Sequence, residues 1–214
     1  MGIQPGDRCA GFVPNAPESV IAMLAAASIG AVWTSCSPDF GVQGVLDRFG
    51  QVEPRVLFAC DGYFYNGKWI ETRDRVAEVA SKLPTVETVV LFSLTGGAPG
   101  ESDIPNAVNW TDFAAADAPG GVEFTHLPFA HPLYILYSSG TTGKPKCIVH
   151  GSAGILVNHA KELMLHGDVG PEDRFLYFTT CGWMMWNWQV SALMTGAVVV
   201  TVDGSPGYPD ISML

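Results

Sequence analysis

The sequence predicts an α/β fold, a doubly wound, mostly parallel sheet with flanking helices. Two observations predict it. Over the first 92 residues, short apolar runs alternate with stretches whose apolar residues recur at helical spacing, as expected for parallel strands joined by crossover helices. Three strand-helix-strand units follow one another there, and right-handed crossovers wind such units into one open sheet.

Arg8 to Val13 is read as the first strand. A helix from Pro17 to Ile29 follows, with Asn15 as a candidate cap, Pro17 in the first turn, and Val20, Ile21, Leu24 and Ala27 on one face. Ala31 to Ser35 is the second strand. After the turn Ser37-Pro38-Asp39-Phe40-Gly41, Val42 to Phe49 carries Val45, Leu46 and Phe49 at helical spacing, and Val56 to Ala59 forms a third strand. Thr72 to Leu83 places Val76, Val79, Ala80 and Leu83 on one helical stripe, and Val86 to Phe92 is a fourth strand.

From Ser93 to Pro132 the composition shifts to Gly, Pro, Ala and Asp, with Trp110 and Phe113 as isolated anchors, the mark of a long surface connector. Order returns with strands at Leu133 to Tyr137 and Cys147 to His150, separated by a polar loop, and a helix from Ser152 to Leu165. Strands at Phe175 to Thr179 and Ala197 to Val202 enclose a helix over Trp186 to Thr195. The chain therefore divides into an α/β region over 1–92, a connector over 93–132, and a second part of the sheet over 133–214.

With 48% apolar residues the 214-residue chain can bury a sizeable core. Its net charge of −10 disfavours nucleic acid and anionic lipid as partners. The apolar run from Val20 to Trp33 is fourteen residues long, short of the roughly 20 that a membrane span needs, so no membrane insertion is expected. The first nineteen residues hold Asp7, Glu18 and three prolines, unlike a signal peptide. Five scattered cysteines without a CxxC pair predict reduced thiols and a cytoplasmic setting.

The segment Tyr137-Ser138-Ser139-Gly140-Thr141-Thr142-Gly143-Lys144-Pro145-Lys146 concentrates hydroxyls, glycines and lysines between two apolar strands. Glycines let the backbone approach an anion, hydroxyls donate to its oxygens, and lysines offset its charge. A Walker loop is excluded, because Ser138 stands where its first glycine belongs and Pro145 where its hydroxyl belongs.

These residues match the signature of the adenylate-forming superfamily, which includes the acyl-CoA synthetases, and within it the chain resembles acetoacetyl-CoA synthetases along nearly its whole length. The likeness is closest at Trp33 to Phe49, at the loop with Lys146 to His150, and at Thr179 to Trp188. The resemblance implies that Ser138, Ser139, Gly140, Thr141, Thr142, Gly143, Lys144 and Lys146 hold the phosphates of ATP, delivered with Mg2+. It further implies that Trp183, Met184 and Met185 border the acyl pocket and that Lys68, in the turn Tyr65-Asn66-Gly67-Lys68, touches coenzyme A. Cys147 stands where many members have Gly, a departure expected to be harmless on a strand. The implied reaction joins acetoacetate to coenzyme A through an acyl-adenylate, with AMP and pyrophosphate as products. Two alternatives remain: a ligase for another short-chain acid such as acetate or propionate, and a non-catalytic nucleotide-binding module.

No metal site is expected, since of five histidines only His159 and His166 share a helical face and no carboxylate cluster accompanies them. His150, just after the loop, is a candidate for a nucleotide contact. Superfamily members carry downstream an aromatic-Gly-x-Thr-Glu motif, a ribose-binding aspartate and a C-terminal domain with the catalytic lysine. None occurs by Leu214. The chain is therefore expected to be an internal piece of the large N-terminal domain, inactive alone and prone to self-association through uncovered apolar surface.

Overall fold

The computed structural model describes residues 1–97, 99–100, 103–115, 121–138 and 143–213. Strand β1 (Arg8–Phe12) leads through α1 (Pro17–Ser28) to β2 (Val32–Cys36), and α2 (Val42–Val52) crosses back to β3 (Val56–Cys60). A hairpin of β4 (Gly62–Tyr65) and β5 (Lys68–Glu71) precedes α3 (Arg73–Ser81) and β6 (Thr88–Phe92). There follow β7 (Ala107–Asn109), α4 (Trp110–Ala114), β8 (Pro132–Tyr137), β9 (Cys147–Gly151) and α5 (Ser152–Ala160), which continues as a π-helix over Lys161–His166. After β10 (Arg174–Phe175), α6 (Met184–Ser191) runs into a 3₁₀ turn over Ala192–Thr195, and β11 (Val198–Val199) follows.

Among the described residues, seven strands form one sheet in the order β7-β6-β3-β1-β2-β8-β9. All its pairs are parallel except β8 with β9, where the chain turns back on itself through the polar loop. The predicted parallel α/β sheet is thus what the chain forms. Because strand side chains alternate between faces, neighbouring residues enter two different cores. Cys9, Trp33, Phe58 and Val90 pack with α1, α4 and α6 on one face, while Ala10, Phe12, Leu57 and Leu91 pack with α2 and α3 on the other. Burial on both faces explains why β3 reads as an unbroken apolar run, while β2 carries Thr34 and Ser35 with their hydroxyls hydrogen-bonded inside the fold.

Three local expectations are corrected. Ile21 and Leu24 of α1 are exposed, and the buried face is instead Ser19, Val20, Ala22, Met23 and Ala26. This helix is apolar almost all round, so its periodicity does not select a face, and the sheet takes the side whose small residues allow close approach. Asn15 does not cap α1; Ala16 holds the cap position and no side chain bonds there. The stretch read as a surface connector holds β7 on the sheet edge and α4, whose Trp110 and Phe113 pack edge-on against Phe58.

The second part of the sheet is shorter than expected. β10 and β11 have two residues each and pair in parallel apart from the main sheet. Among the described residues, no helix is long and apolar enough to cross a membrane.

Candidate functional site

The connection leaving β1 travels to β2 on one side, and the path leaving β3 travels to β6 on the other. The winding therefore reverses between β1 and β3, and loops at the carboxyl ends of strands part at such a point to leave a crevice. One of about 420 Å³ lies there. Pro14 and Asn15 line it from the loop after β1, Ser37 and Asp39 from the turn after β2, and Tyr63 to Tyr65 from the β4–β5 hairpin. Thr179, Thr180 and Asp203 close it from the second half of the chain.

The hairpin is set by local chemistry. Asn66 and Gly67 both take positive φ, at 47° and 70°, the geometry of the tight turn that Asn-Gly favours between antiparallel strands. The turn expected at Tyr65-Asn66-Gly67-Lys68 is thus the tip of a two-stranded hairpin. Lys68 pairs with Tyr65 across the turn and is exposed. The hairpin is tied to the second half by Phe64, whose N–H donates to Asp203 Oδ2 at 2.8 Å. Burial pushes the Asp203 carboxyl above the usual aspartate range, and this hydrogen bond offsets only part of the rise.

The polar loop starts and ends at the antiparallel pair. Ser138 N–H donates to the Lys146 carbonyl at 3.0 Å, and Lys146 N–H donates to Ser138 Oγ at 3.3 Å. These bonds close the mouth just beyond Tyr137 and Cys147, the last pair of β8 and β9. Gln51 of α2 donates to the Pro145 carbonyl at 2.8 Å and braces the returning limb. Gly143 has φ +95° with open space where a side chain would stand, and Lys144 and Lys146 are exposed. Ser139, Gly140, Thr141 and Thr142 lie outside the described residues. Cys147 is half-buried at the start of β9, and burial raises its thiol.

The third candidate group opens α6. Trp183 and Met184 are exposed and Met185 is half-buried. None of the three, and neither lysine of the polar loop, lines the crevice. Just before them Cys181 is fully buried; its carbonyl accepts from Ser35 Oγ at 2.6 Å and its Sγ donates to the Pro14 carbonyl at 3.2 Å. His150 lies against the Tyr134 ring at 5.1 Å, and burial lowers its pKa. His159 is buried and its Nδ1 meets Ser191 Oγ at 2.8 Å, a contact that joins α5 to α6.

A family model described as AMP-binding enzyme matches residues 1–214. The chain belongs to the AMP-binding enzyme family. Within that family it is 51% identical to an acetoacetyl-CoA synthetase of Mus musculus and 50% identical to an acetoacetyl-coenzyme A synthetase of Rhizobium meliloti, in both cases over 100% of this chain and 33% of the relative. A malonamoyl-CoA synthetase of Penicillium aethiopicum is 47% identical over 97% of this chain and 30% of its own length. The solved structure of the Streptomyces lividans acetoacetyl-CoA synthetase superposes with a TM-score of 0.92 at 51% identity, covering 99% of this chain and 32% of that one. This AMP-binding enzyme chain thus spans about a third of the length of the curated relatives it matches.

Proposed function

We propose that the chain is the phosphate-loop third of an acid–thiol ligase that activates acetoacetate with Mg–ATP and passes the acyl group to coenzyme A. The observation that carries the proposal is sequence identity of 50–51% with acetoacetyl-CoA synthetases over the whole chain. A carboxylate oxygen of the acid attacks the α-phosphorus, the bond to pyrophosphate breaks, and the acyl-adenylate forms. The thiol sulfur then attacks the acyl carbon, AMP leaves with the electron pair, and the thiol proton passes to solvent.

In this reading Ser138, Ser139, Gly140, Thr141, Thr142, Gly143, Lys144 and Lys146 grip the β- and γ-phosphates, whose charge preorganised donors must meet as the α-phosphate bond breaks. Support comes from the closed mouth at Ser138 and Lys146, which gives the loop a fixed base. Magnesium enters with the nucleotide. Trp183, Met184 and Met185 contact the acyl group. The switch-point crevice takes the thiol arm of coenzyme A, with Lys68 on the neighbouring hairpin facing its phosphates. A crevice lined by Asp39 and Asp203 suits an uncharged arm better than a polyphosphate.

The acid is defined by class. Acetoacetate and the malonamate named by the fungal relative share a carbonyl two carbons from the carboxylate. A short acid with such a second carbonyl is therefore the substrate class, and acetate and propionate fall outside it.

The test is a chimera in which this chain replaces the matching third of the Streptomyces lividans synthetase. Acetoacetate-dependent ATP–pyrophosphate exchange is expected, falling a hundredfold or more in Lys146→Ala, on the order of what loss of one transition-state donor costs. A folded chimera that exchanges with acetate in preference to acetoacetate would refute the reading. The 214 residues alone are expected to give no exchange, and to self-associate through their exposed apolar face.

A further inference from the structure

Residues 179 to 186 run from the crevice to the proposed acyl pocket, and their two ends are held differently. At the first end, Trp33 Nε1 donates to Ser35 Oγ at 3.3 Å, and Ser35 Oγ donates to the Cys181 carbonyl at 2.6 Å. Gly182 is pressed against Phe40 and the Ser37 backbone, where a Cβ would stand 3.3 Å and 3.4 Å from its neighbours. Both ends pack in the core around Trp33, which Trp186 meets at 6.5 Å, but their side-chain hydrogen bonds go to different elements. At the other end, Trp186 Nε1 donates to Asn15 Oδ1 at 3.0 Å. Trp186 is fully buried and lies within the first turn of α6, directly after Met184 and Met185.

Asn15 is 6% exposed and has no duty in its own helix, since α1 starts at Pro17 without a side-chain cap. The same residue lines the crevice. Among the network's members it is the residue that belongs both to the crevice wall and to the anchor of α6. We infer that Asn15 is a positioning residue: by accepting the Trp186 indole it fixes where Trp183, Met184 and Met185 stand relative to the crevice, and so the separation of acyl and thiol sites. The functional half of this statement rests on the pocket and crevice assignments proposed above; the mechanical half does not.

Loss of the Asn15 acceptor leaves the Cys181 bonds, the Trp33–Trp186 contact and the Gln189 bond to the Val200 carbonyl in place, so the start of α6 is expected to shift rather than unfold. The 214-residue chain, labelled with ¹³C at its methionine methyls, reads this out directly. Asn15→Ala and Trp186→Phe break the same bond from opposite sides, and both are expected to lose the native Met184 and Met185 methyl positions. Met23, buried in α1, holds its position, and Asn15→Asp, which keeps an accepting oxygen, restores the pattern. Should Asn15→Ala fail to fold, Trp186→Phe retains an apolar ring and carries the same comparison. The inference is overturned if Met184 and Met185 stay in place in the variants, or if Met23 moves as far as they do. Acetoacetate added to the unsubstituted chain addresses the pocket separately: silent Met184 and Met185 methyls would count against that assignment while leaving the positioning result intact.

Discussion

The two halves of the chain obey opposite rules. In residues 8–92 every position of β2 and β3 is buried, and the helices turn buried valines, alanines and phenylalanines onto the sheet. In residues 132–199, β9 and β11 carry exposed Ile148, Val149 and Val198, and α5 buries His159 while Val157 is 66% exposed. Leu165, at the end of the π-helix, is 77% exposed. The first half buries its strands on both faces, one of them completed by Tyr134 and Leu136 of β8 and Trp186 and Val190 of α6. The second half presents apolar surface that needs other protein to cover it, which accords with relatives three times as long. The polar loop and Trp183 to Met185, proposed to meet the substrates, lie in that second half.

The largest effect expected from this contrast is in the first core. Trp33 is packed at 5.9 Å from Phe58 and 6.5 Å from Trp186, so Trp33→Ala should cost about 3–5 kcal/mol in denaturant unfolding. Val157→Ala on the open face should cost less than about 0.5 kcal/mol. Equal costs would erase the distinction. Gly11→Ala comes next, because its Cβ would lie 2.6 Å from Trp33 Cζ2 with the indole held in the core; overpacking of this kind costs about 1–3 kcal/mol.

Asp203 sharpens the comparison, since it ties the hairpin of the first half to the second. Its folded carboxyl titrates above the ordinary aspartate range because of burial. A raised carboxyl contributes stability at low pH that is lost as pH rises through the folded value. Asp203→Asn keeps the acceptor for Phe64 and removes that loss. The variant should unfold at higher temperature than the parent at neutral pH, with the gain vanishing below the ordinary aspartate range. A gain that persists in acid would point to packing instead of charge. The smallest effect on stability is expected for Val157→Glu combined with Leu165→Glu, which should leave the unfolding midpoint nearly unchanged while shifting the chain toward monomer in sedimentation.

The difference between the halves also governs what could be read from the sequence. Strands β1, β2, β3 and β6 were legible because parallel strands buried on both faces are short apolar runs between turn residues. α3 was legible because Val76, Val79 and Ala80 form a single stripe. α1 gave the wrong face because Ile21 and Leu24 are as apolar as the residues that pack. Asn15 was read as a cap, the local role its type favours, whereas its partner Trp186 is 171 residues away and no local pattern can name it. β10 and β11 are shorter than their apolar runs suggest, since among the described residues only two in each find a partner. The polar loop is marked by its composition as a candidate phosphate site, whereas nothing local in the sequence marks the crevice, because five separate segments build it.

Hydrogen exchange on the 214-residue chain, with and without Mg–ATP, tests the division most directly. Slow exchange is predicted across β1, β2, β3 and β6 in both conditions, fast exchange in β9, β10 and β11 without nucleotide, and ATP-dependent protection confined to residues 138–147. Uniform protection along the chain, or an ATP response centred in the first ninety residues, would contradict the account.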